Sequence, residues 1–246
     1  MKAVILGATR GMGRSVGRLL AENGAELFLL GRNETDLKDS AVDLQQRGGG
    51  TSEVGSFICD LEQPTGFESA LDAADAALGG FDTVIVTAGL FKTQDKLEAD
   101  LEFTRRMLTV NFANTIVFCE HARARILKNG GGTLCVFSSV AGERGRKPVI
   151  LYGASKAGLS AYLEGLDHKY RAAGLKTVCV KPGFVRTSMT EGLPAPPFAG
   201  EVDQVAQAVV RAIKKGAPVL YTPKMWGLVM LVIRHLPRFV MRKIGF

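Results

Sequence analysis

A chain of 246 residues, 46% hydrophobic and 22% charged, carries enough apolar side chains for one large α/β core and excludes global disorder. The formal net charge of +7 is uneven. From Ala217 onward Lys224, Arg234, Arg238, Arg242 and Lys243 occur with no Asp or Glu, which argues against a general nucleic-acid surface and for a basic tail with its own role.

Lys2 to Leu6 is a short apolar run, followed at once by Gly7-Ala8-Thr9-Arg10-Gly11-Met12-Gly13 and then a helical pattern to about Asn23, stopped by Gly24. Glu26 to Leu30 reads as a second strand, and Asn33 as the N-cap of a helix that fades into Gly48-Gly49-Gly50. Val54 to Cys59 is a third strand, Pro64 to Leu78 a helix and Thr83 to Val86 a buried strand. A long helix is predicted over Ala99 to Lys128, then a strand over Thr133 to Phe137 and a helix over Tyr152 to Ala173. Thr177 to Val180 and Val219 to Tyr221 are the last strands, on either side of a helix from Val202 to Lys215. Strands alternating with helices predict a doubly wound, Rossmann-type α/β domain: a parallel sheet of about seven strands flanked by helices. Residues 1–221 form the predicted dinucleotide-binding and catalytic domain, with 222–246 an apolar and basic C-terminal tail.

The four cysteines form no CxxC pair, and three lie at or in apolar strand-like runs. They read as small buried hydrophobes of a reducing compartment. With a strand rather than a leader at the start, that points to the cytoplasm. His121 and His168 fall on helix surfaces and His235 in the tail, so no metal site is expected.

Gly7, Gly11 and Gly13 stand between the first strand and the first helix as G-x3-G-x-G. Glycines there let a backbone approach a pyrophosphate, and the helix N-terminus offers free N–H groups and a positive dipole end. The second strand ends Leu29-Leu30-Gly31-Arg32, with no carboxylate to grip a ribose 2′-OH. Arg32 and Arg10 instead suit a 2′-phosphate, so NADP(H) is favoured over NAD(H), unless one or both guanidinium groups merely face solvent. Asp60 is placed to bind an adenine amino group, or is a plain turn residue.

Tyr152 and Lys156 stand at i and i+4, on one helix face rich in small residues. Ser139 precedes Tyr152 by 13 residues, at a strand end, where such sheets bind ligands.

With Gly7, Gly11, Gly13, Asp60, Ala88-Gly89, Asn111, Ser139, Tyr152, Lys156 and Pro182-Gly183-Phe184-Val185-Arg186-Thr187, the chain resembles the short-chain dehydrogenase/reductase family. The resemblance implies an oxidoreductase moving a hydride between a nicotinamide and a carbonyl or secondary alcohol. Tyr152 would be the general acid/base, activated by Lys156, which also holds the nicotinamide ribose. Ser139 would steady the substrate carbonyl, and Asn111 a water behind Lys156. Thr187 would bind the carboxamide. The implied cofactor surface also takes in Thr9, Arg10, Met12, Arg32, Leu61, Ala88, Gly89, Pro182, Gly183 and Val185. Two departures stand out: Leu6 replaces a frequent Thr, and Val86-Thr87-Ala88-Gly89 replaces an Asn-Asn-Ala-Gly run whose Asn braces the sheet. Ser138 is a rival to Ser139. The family is often dimeric or tetrameric. A non-catalytic nicotinamide-sensing regulator or scaffold is the reading from another class.

Trp226 to Ile233 is apolar and far short of the roughly 20 residues that span a bilayer. With the cations that follow, it suits a helix lying on an anionic membrane, or one covering the substrate cleft or a subunit interface. The resemblance implies that Glu143-Arg144-Gly145-Arg146-Lys147 walls the substrate pocket, where its three cations suggest an anionic substrate, unless the loop is simply solvated. The loop and tail together resemble the branch of the family that includes the decaprenylphosphoryl keto-pentose reductase, implying a keto-sugar linked to a lipid phosphate. Ser188 to Gly200, with Pro194, Pro196 and Pro197, is an expected mobile lid.

Overall fold

A computed structural model describes residues 1–50, 53–196 and 198–245; Pro197 of the expected lid and Phe246 of the tail lie outside them. In chain order the elements are β1 (Lys2–Leu6), α1 (Gly11–Glu22), β2 (Glu26–Gly31), α2 (Glu34–Arg47), β3 (Gly55–Ile58), α3 (Phe67–Leu78), β4 (Thr83–Val86), α4 (Gln94–Ala99), α5 (Leu101–Leu108), α6 (Thr115–Lys128), β5 (Gly132–Phe137), α7 (Ile150–Tyr170), β6 (Leu175–Pro182), α8 (Val202–Lys215), β7 (Val219–Thr222), α9 (Met225–His235) and α10 (Arg238–Lys243). The seven strands pair in parallel in the order β3-β2-β1-β4-β5-β6-β7. The order reverses between β1 and β4, which opens a crevice at their carboxyl ends.

The pleat explains why the central strands are largely apolar. Val4 and Leu6 of β1 face one way, onto Phe67 and Leu71 of α3, Phe118 of α6 and Leu163 of α7. Ala3 and Ile5 face the other, onto Val16 and Leu20 of α1, Leu37 and Leu44 of α2, and Val205 and Val209 of α8. With helices on both faces, neither side of the central sheet has a solvated set of positions, while β3 at the edge leaves Phe57 and Ile58 exposed. The four cysteines are free and buried within this packing.

The predicted Asn33 cap is present: its Oδ1 accepts from the Asp36 N–H at 2.9 Å. The long helix predicted over Ala99 to Lys128 needs correction. Asp100 ends α4, then accepts from the Phe103 N–H at 2.9 Å and so caps α5. Between α5 and α6 the chain widens into a π turn over Thr109–Asn114, where the Thr115 hydroxyl donates to the Val110 carbonyl at 2.7 Å. Other boundaries move by a few residues. A 3₁₀ turn, Pro64–Gly66, precedes α3, another, Arg171–Ala173, follows α7, and β6 extends two residues beyond each predicted end.

The tail is helical. One face of α9 docks: Met230 and Ile233 are buried together with Val140, alongside Tyr221 and Trp226. Its opposite face leaves Leu228, Leu231 and Val232 exposed. Among the described residues no helix is long and apolar enough to cross a membrane.

Candidate active site

The glycine turn joins β1 to α1 under close contact. Gly7 has φ +99°, and a Cβ there would lie 2.6 Å from Thr87 Oγ1 and 2.7 Å from the Ala88 nitrogen. A Cβ on Gly13 would overlap the Gly7 carbonyl oxygen. Thr87 donates to that same carbonyl at 2.9 Å, so it ties β4 to the glycine turn in place of the missing Asn brace. Arg10 precedes α1 in an extended conformation with no side-chain cap, and no carboxylate occupies the first turn. The first amides of α1 are therefore open to an anion, and the turn fits a dinucleotide pyrophosphate.

From this turn a cleft of about 230 Å³ runs over the edges of β1, β2 and β4. Gly7, Thr9, Arg10, Arg32, Asp60, Leu61, Ala88 and Gly89 all line it. Arg10 is held by Asp36 at 3.0 Å. Arg32 is 60% exposed and lies 3.9 Å from Glu62, whose carboxylate is already gripped by Arg106 at 2.7 and 2.5 Å. Asp60 accepts from the Glu62 N–H at 3.0 Å, so it serves a turn as well as lining the cleft.

A second cavity, of about 260 Å³, adjoins the first beyond Met189, which lines both. Ser139, Tyr152, Pro182, Gly183, Val185, Thr187 and Met12 line it. Burial pushes the Tyr152 phenol up to about 12, against a hydrogen bond with Ser139 that pulls the other way. Lys156 lies behind the tyrosine rather than in the cavity. Its Nζ donates to the Phe137 carbonyl at 2.8 Å and stands 5.8 Å from the Tyr152 ring centre. Burial lowers this ammonium to about 8.

Asn111 sits in the π turn, 1% exposed. Its Oδ1 accepts from the Leu90 N–H and its Nδ2 donates to the Leu90 carbonyl, both at 2.7 Å. A Cβ on Gly89 would lie 3.1 Å from Asn111 Oδ1 and 3.8 Å from Lys156 Nζ, so the three meet at one point. The two serines separate clearly. Ser138 donates to the Lys156 carbonyl at 2.9 Å and pairs with Ser160 at 2.7 Å, which commits it to strand–helix packing. Ser139 accepts from the Ala141 N–H at 3.1 Å and reaches the Pro182 carbonyl at 3.5 Å. The small residues beside Tyr152 have a structural reason as well: a Cβ on Gly153 would fall 2.7 Å from the Ala141 carbonyl oxygen.

Three further residues wall the cavity, of which only Phe91 was not singled out in the sequence. Phe91 packs edge-on to Tyr152 with ring centres 5.0 Å apart. Its place just after Ala88-Gly89, at the carboxyl end of β4, is the clue that could have found it. Trp226 lines the cavity from α9, the tail segment for which covering the substrate cleft was one of the readings. Arg146 enters from the loop before α7. The other two cations of that loop do not join it, a correction to the expected cationic wall. Arg144 donates to the Leu236 carbonyl at 3.0 Å and Lys147 to the Arg242 carbonyl at 2.8 Å, so each satisfies carbonyls at or near a tail-helix end. The segment read as a lid is stapled at its base by Gly200 N–H to the Phe184 carbonyl at 2.8 Å and Arg186 N–H to the Gly200 carbonyl at 2.9 Å. Met189, Leu193 and Pro196 hang over the cavity from it.

Behind the loop, Glu143 is a buried hub. It pairs with Lys181 at 2.5 Å, accepts from Tyr221 at 2.9 Å and meets Arg234 of α9 at 3.2 Å. Burial alone would raise its carboxyl, but the hydrogen bonds and charge of Lys181, with Tyr221 and Arg234, hold it below its ordinary range.

A parallel sheet with a glycine turn at its switch point, opening beside a Tyr–Lys pair, defines a nicotinamide-dependent oxidoreductase. The chain belongs to the short-chain dehydrogenase/reductase family: the family described as short chain dehydrogenase matches residues 1–196. An uncharacterized oxidoreductase of Mycobacterium tuberculosis is 31% identical over 242 residues, covering 98% of this chain and 95% of the relative. Carbonyl reductase family member 4 of Xenopus tropicalis is 27% identical over 217 residues, covering 84% and 88%. A solved short-chain type dehydrogenase/reductase from Mycobacterium ulcerans shares the fold with a TM-score of 0.81 at 22% identity, covering 90% of this chain and 87% of its own.

Proposed function

We propose that this enzyme interconverts a carbonyl group and a secondary alcohol with NADP(H), Tyr152 acting as general acid/base. The carrying observation is that the Tyr152 and Ser139 hydroxyls meet in one apolar-walled cavity, with Lys156 buried directly behind them. The open first turn of α1, Ala88, Gly89, Asp60 and Thr187 would hold the dinucleotide, which when bound supplies or takes up the hydride. Lys156 and Asn111 would bind and orient its ribose and the protons behind it. Ser139 donates to the substrate oxygen as charge grows there, and Tyr152 delivers or removes the proton at that same oxygen. Phe91, Met189 and Trp226 exclude water from the reacting face. The carbonyl reductase name of the Xenopus relative supports the direction of this reading. Arg32 and Arg10 at the far end of the cleft support the 2′-phosphate.

Replacing Tyr152 with Phe keeps the ring against Phe91 and removes only the hydroxyl. Turnover of a carbonyl panel should fall about 100-fold or more while NADPH still binds. Turnover that does not depend on Tyr152, on any substrate, would return the chain to the regulator reading.

The exposed apolar face of α9, in a tail that carries Lys224, Arg234, Arg238, Arg242 and Lys243 and no Asp or Glu, supports contact with an anionic lipid surface. A keto-sugar on a lipid phosphate is the substrate class that such a location favours. Flotation with phosphatidylglycerol vesicles, but not phosphatidylcholine vesicles, is expected, and should be lost on replacing Leu228, Leu231 and Val232 with Ser. Dimerisation through this face without flotation would refute the lipid reading. Four buried free thiols support a reducing, cytoplasmic setting.

A further inference from the structure

The substrate cavity holds one charged side chain among the described residues, that of Arg146. The rest of its lining is apolar or hydroxylic, and includes Val149, Leu193, Phe184 and Trp226. Arg146 makes no ion pair among the described residues, and its Nε is buried with no hydrogen-bond partner. The nearest carboxylate in sequence, Glu143, is consumed by Lys181, Tyr221 and Arg234.

The inward course of Arg146 is set by its neighbours. Glu143 is anchored to β6, β7 and α9 on one side of it. Arg144 is fixed to the end of α9, and Lys147 to the end of α10. The loop is thus tied down at three positions by contacts that face the tail. Between those ties Arg146 lines the cavity that Tyr152 and Ser139 also line, with its guanidinium Nε buried and unpartnered. Burial lowers the guanidinium's proton affinity, which agrees with a cation left without compensation.

An unpaired cation beside apolar walls is costly, and a bound anion would remove that cost through charge-assisted, forked hydrogen bonds. We propose that Arg146 is an anion subsite of the substrate cavity, and that the carbonyl compound turned over here carries a carboxylate or phosphate seated on it. This rests on the carbonyl-reducing reading above and assigns the residue that would receive the substrate's anionic group. It also narrows recognition to a single residue, since Arg144 and Lys147 are already engaged.

The test compares matched ketone probes with NADPH: 4-acetylbenzoate against 4-methylacetophenone, and dihydroxyacetone phosphate against dihydroxyacetone. At least one anionic member should exceed its neutral partner in kcat/KM by tenfold or more, and the pair that does so separates carboxylate from phosphate. Arg146→Met should erase that preference by cutting the anionic member about 100-fold, leaving the neutral one within a fewfold. Arg146→Lys should restore part of the preference, which a purely structural role would not do. Equal loss on both members, or no preference in the native enzyme, overturns the subsite and leaves the reaction class intact. If no carbonyl turns over, the reaction reading fails, and the subsite is read by binding alone. Trp226, the sole tryptophan, lines the same cavity. Its fluorescence should report saturable binding of benzoate or inorganic phosphate that Arg146→Met abolishes; no Arg146-dependent binding of either overturns the proposal.

Discussion

The indole of Trp226 lies against Gly183 so closely that a Cβ on Gly183 would overlap the indole ring. The glycine that follows β6 in the wall of the substrate cavity is therefore also the floor on which α9 rests. Tail docking and pocket shape are one contact.

Gly183→Ala should displace α9 and cost about 1–3 kcal/mol through overpacking. Because Trp226 is the only tryptophan, its emission reports the displacement directly. Adding Trp226→Ala should recover part of the stability, giving a non-zero coupling in a double-mutant cycle. An unchanged melting curve and emission spectrum for Gly183→Ala would mean that α9 does not pack there in solution.

Glu143→Gln tests the hub that ties the substrate loop to α9. It leaves Lys181, only 12% exposed, without its carboxylate, and should cost about 3–5 kcal/mol at neutral pH. The folded carboxyl is held below its ordinary range, so its contribution is present above the unfolded-state pKa and disappears as pH falls through the folded one. Urea unfolding should therefore show the gap between native protein and variant closing in acid. A gap independent of pH would refute the ionised hub.

Arg32→Ala should raise KM for NADPH about tenfold or more and leave KM for NADH nearly unchanged. Arg10 is already restrained by Asp36, so Arg32 is the guanidinium free to turn to a 2′-phosphate. Steady-state kinetics with both cofactors decide it, and an equal change for the two removes the cofactor assignment.

Lys156 offers a pH test that needs no substrate. Its folded ammonium is lowered to about 8 from an ordinary value of 10.5, so between those values the unfolded chain binds more protons. Stability of the free protein should then rise with pH across that window relative to Lys156→Met, whose curve lacks this component. Parallel curves for the two proteins would show that Lys156 is not buried as an ammonium.

Much of the fold was legible because it follows from short-range pattern. Apolar runs of four to six residues separated by helical periodicity specify a sheet covered on both faces, and glycines at fixed offsets mark the first turn. Residues 101–128 show where pattern fails. Asp100 divides two helices through one side-chain bond to Phe103, and the π turn at Thr109–Asn114 changes the residue count per turn without any breaker residue. Neither leaves a trace in hydrophobic spacing. Ser139 was separable from Ser138 only by its distance in sequence from Tyr152, whereas the contacts of Ser138 with Lys156 and Ser160 give the physical reason.

By itself the sequence determined the parallel α/β class and the glycine turn, and it brought Ser139, Tyr152 and Lys156 forward as candidates, because each depends on residues close in the chain or at strand ends. Tertiary structure alone decided which cation of the substrate loop faces the cavity, that Trp226 walls it, and that Thr87 braces the glycine turn. Those outcomes depend on contacts between segments about 40 to 100 residues apart, such as Lys147 with Arg242 and Gly183 with Trp226, where the direction of a side chain is fixed by a partner that local sequence cannot name.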